Sequence, residues 1–234
     1  GLDIITGCNS CFGVLSEAKH FLEDDDLKKK VNESLSAINR TYRGNADIYH
    51  VAQFLHKIVG LETIKERLKY SLDGLKIATQ TGCHTLWPSD VYKVPEENPY
   101  NPTILKDLCE VTGAEVPHYS RIASCCGMGG MRSTDAEKSL KLFKEKLLSI
   151  KKETEPDMIV TTCSSCFMQF DMSQAILKER GEIDFDPIPT FYYTQVLALA
   201  MGFDKDQVAA ISQTDRSAIV AEIQTEKRLI KEVA

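Results

Sequence analysis

The sequence predicts an α/β protein with parallel-type sheets flanked by helices, built from one unit that occurs twice. Short apolar runs typical of strands, at residues 2–5 and 158–160, alternate with longer amphipathic stretches typical of helices. The evidence for the repeat is that residues 6–12 (TGCNSCF) match residues 161–167 (TTCSSCF). In each copy the matching segment follows an apolar run and leads into a helical pattern, which is the order expected of a strand, a turn and a helix.

A second match supports the duplication. Gln53 is followed seven residues later by Gly60, and Gln195 is followed by Gly202 at the same spacing. Two correspondences in the same chain order are stronger evidence for a repeat than either alone. The second copy has much more sequence ahead of its cysteine pair, so the first copy is expected to lack its opening half, roughly 70–80 residues.

The repeat sets the predicted organisation of the chain. Residues 1–72 are expected to be the C-terminal half of the first unit, and residues 73–204 a complete second unit. Residues 205–234 are expected to be a C-terminal helical tail. The apolar residues of this tail alternate with charges, which predicts an amphipathic helix packed on a partner: Ile219, Ile223, Leu229 and Ile230.

Strands and helices alternate through the second unit. We expect a strand at 75–79, followed by a helix at 102–112 with Pro102 in its first turn. An amphipathic helix is expected to open at 133–137 and to run to about Ile150. A strand at 158–161 and a helix from Cys166 onward complete the unit.

Charge and composition exclude several classes of function. The net charge is −6 and the pI is near 5.5, which argues against binding nucleic acid because that requires clustered Lys and Arg. No apolar run approaches the roughly 20 residues of a membrane span. The N-terminus has no basic region followed by an apolar stretch, so it does not read as a signal peptide. The chain is therefore predicted to be cytoplasmic.

The cysteines carry the strongest chemical signal. Eight cysteines are many for a chain without a secretory signal, and clustered thiols in a reducing compartment indicate metal or redox chemistry. Cys83 is followed after 41 residues by Cys125 and Cys126, and after a further 36 residues by Cys163 and Cys166. A C-x-x-C motif at a strand-to-helix turn brings two sulfurs to one centre, and the helix N-terminus favours their anionic form.

The adjacent pair favours a multi-iron group over a single ion. Neighbouring cysteines in an extended chain point in opposite directions, so Cys125 and Cys126 chelate one tetrahedral ion poorly, and the glycines of residues 127–130 let the backbone approach a larger object. Three alternatives stay open: a zinc site, which takes four ligands; a dithiol redox pair, which leaves three cysteines unexplained; and buried structural thiols. Cys109 lies in a helical apolar pattern and is expected to be a core thiol.

The array resembles the CCG cysteine-rich domain, and its surroundings are similar to the B-type subunit of heterodisulfide reductase. The similarity extends from Gly1 to about Gly202 and is carried by residues 2–11, 82–84, 125–130 (CCGMGG), 163–171 (CSSCFMQFD) and 197–202. The resemblance implies two CCG domains, the first incomplete, each binding a noncubane 4Fe–4S cluster through five cysteines.

Carried over by position, the resemblance implies one complete cluster site and part of another. The complete site consists of Cys83, Cys125, Cys126, Cys163 and Cys166, and the closing pair of the second site is Cys8 and Cys11. The implied reaction is reduction of the CoM-S-S-CoB heterodisulfide, a small disulfide. The implied electron route runs through subunits C and A from a hydrogenase or a formate dehydrogenase.

Proton supply and substrate class leave alternatives. His84, next to Cys83, is the candidate proton donor because imidazole exchanges protons near neutral pH; equally, it could cap a helix or hydrogen-bond a cluster sulfur. CCG domains also resemble parts of thiol–fumarate reductases and of glycolate- or lactate-oxidising complexes. A non-catalytic module with structural zinc is the third interpretation.

Overall fold

The computed structural model describes residues 2–92 and 97–230, which form an α/β structure. Its strands are β1 (Ile4–Thr6), β2 (Ile48–His50), β3 (Ile77–Gln80), β4 (Met158–Thr161) and β5 (Thr190–Tyr192). Its α-helices are α1 (Asn9–Phe21), α2 (Asp25–Ser36), α3 (Val51–Phe54), α4 (Leu61–Glu66), α5 (Ser89–Tyr92), α6 (Ile104–Glu110), α7 (Gly130–Thr134), α8 (Ala136–Thr154), α9 (Ser164–Glu179), α10 (Tyr193–Ala200), α11 (Lys205–Val208) and α12 (Ser217–Ile223). No helix within these two ranges has the length and apolar character that crossing a membrane requires.

The sheets are parallel, as predicted. β1 pairs with β2, and β3, β4 and β5 form a three-stranded sheet with β4 in the middle. β3 and β4 are buried along their whole length, which is expected of parallel strands covered by helices on both faces. The predicted strand at residues 158–161 is observed with those bounds, and the strand predicted at 75–79 lies slightly later, at 77–80.

The three-stranded sheet has a hydrophobic core on each face. Met158 and Val160 of β4 face a core completed by α6, α10 and α12. Ile159 of the same strand faces the opposite core, which α8 and α9 complete. This alternation follows from the two-residue side-chain period of a strand. The sheet is thereby held in place between helices, and its edges fix where the loops leave it.

The two repeats share one strand register. Thr6 in β1 lies opposite His50 in β2, and the matching Thr161 in β4 lies opposite Tyr192 in β5. The helices after β2 and β5 both begin with a capping box closed by a glutamine, and these are the two glutamines that the internal repeat matches. Within the described ranges β3 has no counterpart beside β1. The domain boundaries themselves stay a prediction.

Three helix starts differ from the prediction. α6 begins at Ile104, so Pro102 precedes the helix and does not lie in its first turn. α8 begins after Asp135, whose carboxylate accepts a hydrogen bond from the Lys138 N–H at 2.9 Å, and it extends beyond Ile150 to Thr154. Residues 130–134 form the separate helix α7, because the extended backbone of Asp135 interrupts the helical run. α9 begins two residues before Cys166.

The C-terminal segment packs on the chain itself, which corrects the expectation of a partner. Ile219 and Ile223 of α12 are buried in the core beside α10. After α12 the chain folds back, and the Ile230 N–H donates to the Lys69 carbonyl at 2.9 Å. For Ile219 and Ile223 the covering surface thus belongs to the same chain. Leu229 and Ile230 lie beyond the end of α12 and are exposed, so they do not continue the predicted helix face. Residues 231–234 lie outside the described residues.

Candidate metal centre

The predicted ligand cysteines lie at the carboxyl-terminal edge of the three-stranded sheet. Cys83 follows β3, and Cys163 follows β4 directly before α9. Parallel neighbours end at the same edge of a sheet, so these two thiols are brought together by the topology. Cys125 and Cys126 reach the same place from the loop before α7, and Cys166 lies in the first turn of α9.

The five side chains form one connected line of sulfur contacts. Cys83 is hydrogen-bonded to Cys125 and Cys125 to Cys126. Cys126 contacts Cys166 with 3.2 Å between the Sγ atoms, and Cys166 is hydrogen-bonded to Cys163. Cys126, Cys163 and Cys166 are buried, whereas Cys125 is exposed and Cys83 is half-buried. The line therefore runs from the protein interior to solvent.

These contacts favour thiolate at two positions. The hydrogen bond with Cys166 lowers the pKa of Cys163 to about 6, and hydrogen bonds with Cys126 and Cys83 lower the pKa of Cys125. The contact with Cys126 in turn raises the pKa of Cys166 well above its usual range. Because thiolate is the form that binds metal, the fold already supports ligand chemistry in this set.

Gly127 lets the cysteine pair lie close to α8. Its φ is +86°, and a Cβ on this residue would lie 2.5 Å from the Ser139 carbonyl oxygen of α8. The Ser139 hydroxyl donates to the Gly127 carbonyl at 2.7 Å, and the Gly127 N–H donates to the sulfur of Cys125 at 3.4 Å. A residue with a side chain would be displaced from α8, so glycine is needed for both the backbone conformation and the close packing.

A buried lysine, which sequence reasoning missed, lies beneath this loop. Lys146 of α8 is fully buried, and its Nζ donates to the carbonyls of Ile122 at 3.1 Å and Ser124 at 2.5 Å. Burial lowers the pKa of Lys146 to about 8, while the negative charge of the nearby thiols acts in the opposite direction. The sequence did hold a signal, since Lys146 falls on the apolar face of α8 between Phe143 and Leu147.

Cys8 and Cys11, the predicted closing pair of a second site, lie beside the first site. Cys8 precedes α1, and Cys11 is exposed in the first turn of that helix. The sulfur of Cys163 accepts a hydrogen bond from the backbone N–H of Asn9, and the sulfur of Cys8 accepts one from the Ser164 side chain. The two C-x-x-C motifs are thus joined reciprocally, each by the residue that follows the first cysteine of the other motif.

Asn9 also holds the loop that carries Cys83. Its side-chain Nδ2 donates to the Thr81 carbonyl at 2.7 Å and to the Thr85 hydroxyl at 3.1 Å, and the residue is almost completely buried. Gly82 lies directly against it, because a Cβ there would lie 2.5 Å from the same Nδ2 atom. One side chain of the first unit therefore braces the ligand loop of the second.

Replacing Asn9 with alanine is expected to lower the free energy of unfolding by about 1–3 kcal/mol, since it removes two buried hydrogen bonds, those to the Thr81 carbonyl and the Thr85 hydroxyl. Anaerobic chemical denaturation measures the change. Asn101→Ala is the matched control, because Asn101 is exposed and surface substitutions usually change stability by less than about 0.5 kcal/mol. Equal stability of the two variants would contradict the bracing role.

His84 lies at the protein surface directly after Cys83 in the sequence. It is exposed in the 3₁₀ turn Cys83–Thr85, and its ring lies against α1, where Nδ1 would be 3.1 Å from a Cβ on Gly13. It is therefore close to both units and open to solvent. Its role as a proton donor stays a prediction.

Tyr192 is another polar residue beside the two C-x-x-C motifs that was not predicted from the sequence. Its hydroxyl donates to the Thr162 carbonyl, and His50 Nε2 contacts the same oxygen at 3.1 Å. Burial raises the pKa of Tyr192, and the negative charges of Cys163 and Cys8 add to this effect. The repeat held a signal, because Tyr192 and His50 occupy matching positions at the ends of β5 and β2.

The donor set fits a cluster of several metal atoms. Within the described part of the chain, no group of three or more His, Cys, Asp or Glu side chains is placed to hold a metal ion; the five thiols instead form a line of pairwise contacts. Soft sulfur ligands spread along a line suit an iron–sulfur cluster, whose separate irons each take their own thiolates. Cys109, by contrast, is fully buried in the core on α6, as predicted for a core thiol.

Comparisons with known proteins point to one family. The family model for the CCG cysteine-rich domain matches residues 77–171, a range that includes all five cysteines. A heterodisulfide reductase B-subunit-like protein of Archaeoglobus profundus is 52% identical over 229 residues, which covers 97% of this chain and 76% of that protein. The B-type subunit of the ferredoxin/F(420)H(2)-dependent CoB-CoM heterodisulfide reductase of Methanosarcina acetivorans is 37% identical over 210 residues, covering 89% of this chain and 68% of the relative.

A solved structure shares the fold. A hypothetical protein from Helicobacter pylori superposes with a TM-score of 0.62 at 17% sequence identity, covering 85% of this chain and 35% of that one. At this level of identity the similarity concerns the arrangement of strands and helices alone.

Proposed function

This chain belongs to the family of proteins similar to the B-type subunit of heterodisulfide reductase, and from this premise we propose that it is an iron–sulfur oxidoreductase subunit that reduces the CoM-S-S-CoB heterodisulfide. The observation that carries the proposal is the connected line of five thiols at one sheet edge. A single line of this kind brings together cysteines from three separate parts of the sequence, which chance burial of thiols does not explain.

Different cysteines of the chain would bind two separate clusters. Cys83, Cys125, Cys126, Cys163 and Cys166 would hold a noncubane 4Fe–4S cluster, and Cys8 and Cys11 would contribute the closing pair of a second one. When bound, such a cluster supplies electrons one at a time. Asn9, which lies between Cys8 and Cys11 in the sequence, would keep the two sets in register, because its side chain bonds to Thr81 and its backbone N–H bonds to the sulfur of Cys163.

Reduction of a disulfide consumes two electrons and two protons and releases two thiols. The line of thiols reaches solvent at Cys125, and a small disulfide would approach the site there. His84 is exposed next to Cys83 and would deliver a proton to a departing sulfur. The electrons would come from partner subunits of the kind known as C and A, fed by a hydrogenase or a formate dehydrogenase.

The first test is the content of iron, acid-labile sulfide and zinc per chain in protein purified without oxygen. About four irons with matching sulfide are expected for the complete five-cysteine site. Near-stoichiometric zinc with little iron would refute the catalytic proposal and leave a structural zinc module.

The second test concerns the substrate. The loaded protein is reduced with a viologen dye and mixed with CoM-S-S-CoB, and oxidation of the dye is followed against fumarate as the control acceptor. Oxidation by the heterodisulfide alone is expected. Oxidation by fumarate but not by the disulfide would favour the competing interpretation, in which the same domain serves another oxidoreductase complex.

A further inference from the structure

Lys146 is a buried cation whose closest hydrogen-bond partners are neutral. Its side chain is completely buried, and its Nζ donates to two carbonyl oxygens, those of Ile122 and Ser124. Burying an ammonium group without an opposite charge is costly. A lysine on the apolar face of a core helix is therefore a position that needs a compensating negative charge nearby.

The surroundings fix the ammonium group in one place. Tyr119 presents its ring to Lys146, with 5.6 Å from Nζ to the ring centroid. The hydroxyl of Tyr119 donates to the Thr79 carbonyl of β3 at 2.9 Å, so the ring is itself anchored to the sheet. The ammonium is held between that sheet and the loop that leads into the cysteine pair.

The cysteine site can supply that charge, because its thiols bind a metal group as thiolates. The thiols that would favour protonation of Lys146 when they are negatively charged are those of Cys166, Cys126, Cys125 and Cys83, in decreasing order of effect. These are four of the five predicted ligands. The two carbonyls that Lys146 binds belong to residues 122 and 124, in the loop that leads into Cys125 and Cys126. The lysine that needs the charge of the thiols therefore also anchors the loop that carries two of these cysteines.

We propose that Lys146 is a positioning residue of the cysteine site, which anchors the loop at residues 122–126 and raises the reduction potential of the group that the five thiols hold. This inference rests on the proposed function. Adding one electron makes the site more negative, and a fixed positive charge in a poorly solvated interior stabilises that state. Charge and hydrogen bonding around the sulfurs are established determinants of such potentials.

The test separates the charge from the anchoring. Lys146→Gln keeps a donor toward the loop carbonyls and removes the charge, and Lys146→Met removes both. Lys141→Met is the matched control, because Lys141 lies on the same helix but is exposed. The three variants and the unaltered chain are loaded with iron and sulfide anaerobically, and midpoint potentials are read spectroscopically during titration with a one-electron reductant.

Lys146→Gln is expected to disfavour the reduced state at least tenfold, which is about 59 mV for one electron, while Lys141→Met leaves the potential unchanged. Retention of the normal potential in loaded Lys146→Gln would overturn the proposal, even if Lys146→Met fails to fold. Failure of the unaltered chain to bind iron would instead count against the proposed function, so the two failures can be told apart.

Discussion

Replacing Cys166 with serine is expected to reduce the iron content from about four per chain to less than about one. Cys166 is an internal member of the line of thiols, since it contacts both Cys126 and Cys163. A serine hydroxyl at this buried position is a hard, protonated oxygen and replaces a soft thiolate poorly. Iron and sulfide analysis after anaerobic loading, together with the visible absorption of the cluster, measures the loss.

Two cysteine variants serve as controls for this prediction. Cys109→Ala removes a thiol that is equally buried but lies in the core on α6, and it is expected to keep the full iron content. Cys11→Ser alters the exposed cysteine of the other motif and is expected to keep the iron of the five-thiol site. A Cys166→Ser protein that binds as much iron and sulfide as these controls would remove Cys166 from the ligand set.

That the five cysteines lie together could be predicted from the sequence, because their position follows from local pattern and topology; their role as ligands stays a prediction. Two of the cysteine segments follow short apolar runs, and parallel strands end at a common edge, so Cys83 and Cys163 had to be neighbours once the sheet was parallel. The Gly-rich turn after Cys126 was likewise recognisable from composition. These features depend on short apolar runs and on residue spacings that are visible in the sequence itself.

The residues that support the site were not predictable in the same way. Asn9 bonds to Thr81, 72 residues further along the chain, and nothing near Asn9 in sequence indicates that contact. Lys146 interrupts the apolar face of its helix, and the sequence does not show whether such a lysine is buried or extends to solvent. Only the position of the loop at residues 122–126, whose carbonyl groups it contacts, shows that Lys146 is buried. Such roles arise only from tertiary packing.

The C-terminal segment illustrates the same limit for the fold. Its amphipathic pattern correctly indicated that one face of the helix is covered. The pattern contains no information on which surface does the covering, and the structure assigns that surface to the chain's own core around Ile219 and Ile223. Hydrophobic periodicity predicts burial of a face, whereas the partner of that face depends on the whole topology.

Replacing His84 with alanine is expected to slow disulfide reduction on the order of 100-fold, the usual contribution of a general acid. His84 is exposed in the turn that carries Cys83 and lies against Gly13 of α1, so its removal opens space at the surface and leaves the thiol contacts intact. Iron content and midpoint potential are therefore expected to stay unchanged while kcat falls, and the steady-state assay with reduced viologen and CoM-S-S-CoB measures the change.

Chemical rescue distinguishes proton delivery from a structural role. Because the histidine is exposed, free imidazole can reach the space left by His84→Ala, and it is expected to restore part of kcat in proportion to its concentration. His118→Ala is the control, since His118 is also exposed but lies in a different loop, and it is expected to retain full activity. A His84→Ala protein that loses iron together with activity, and that imidazole does not rescue, would show that His84 supports the ligand loop and does not donate the proton.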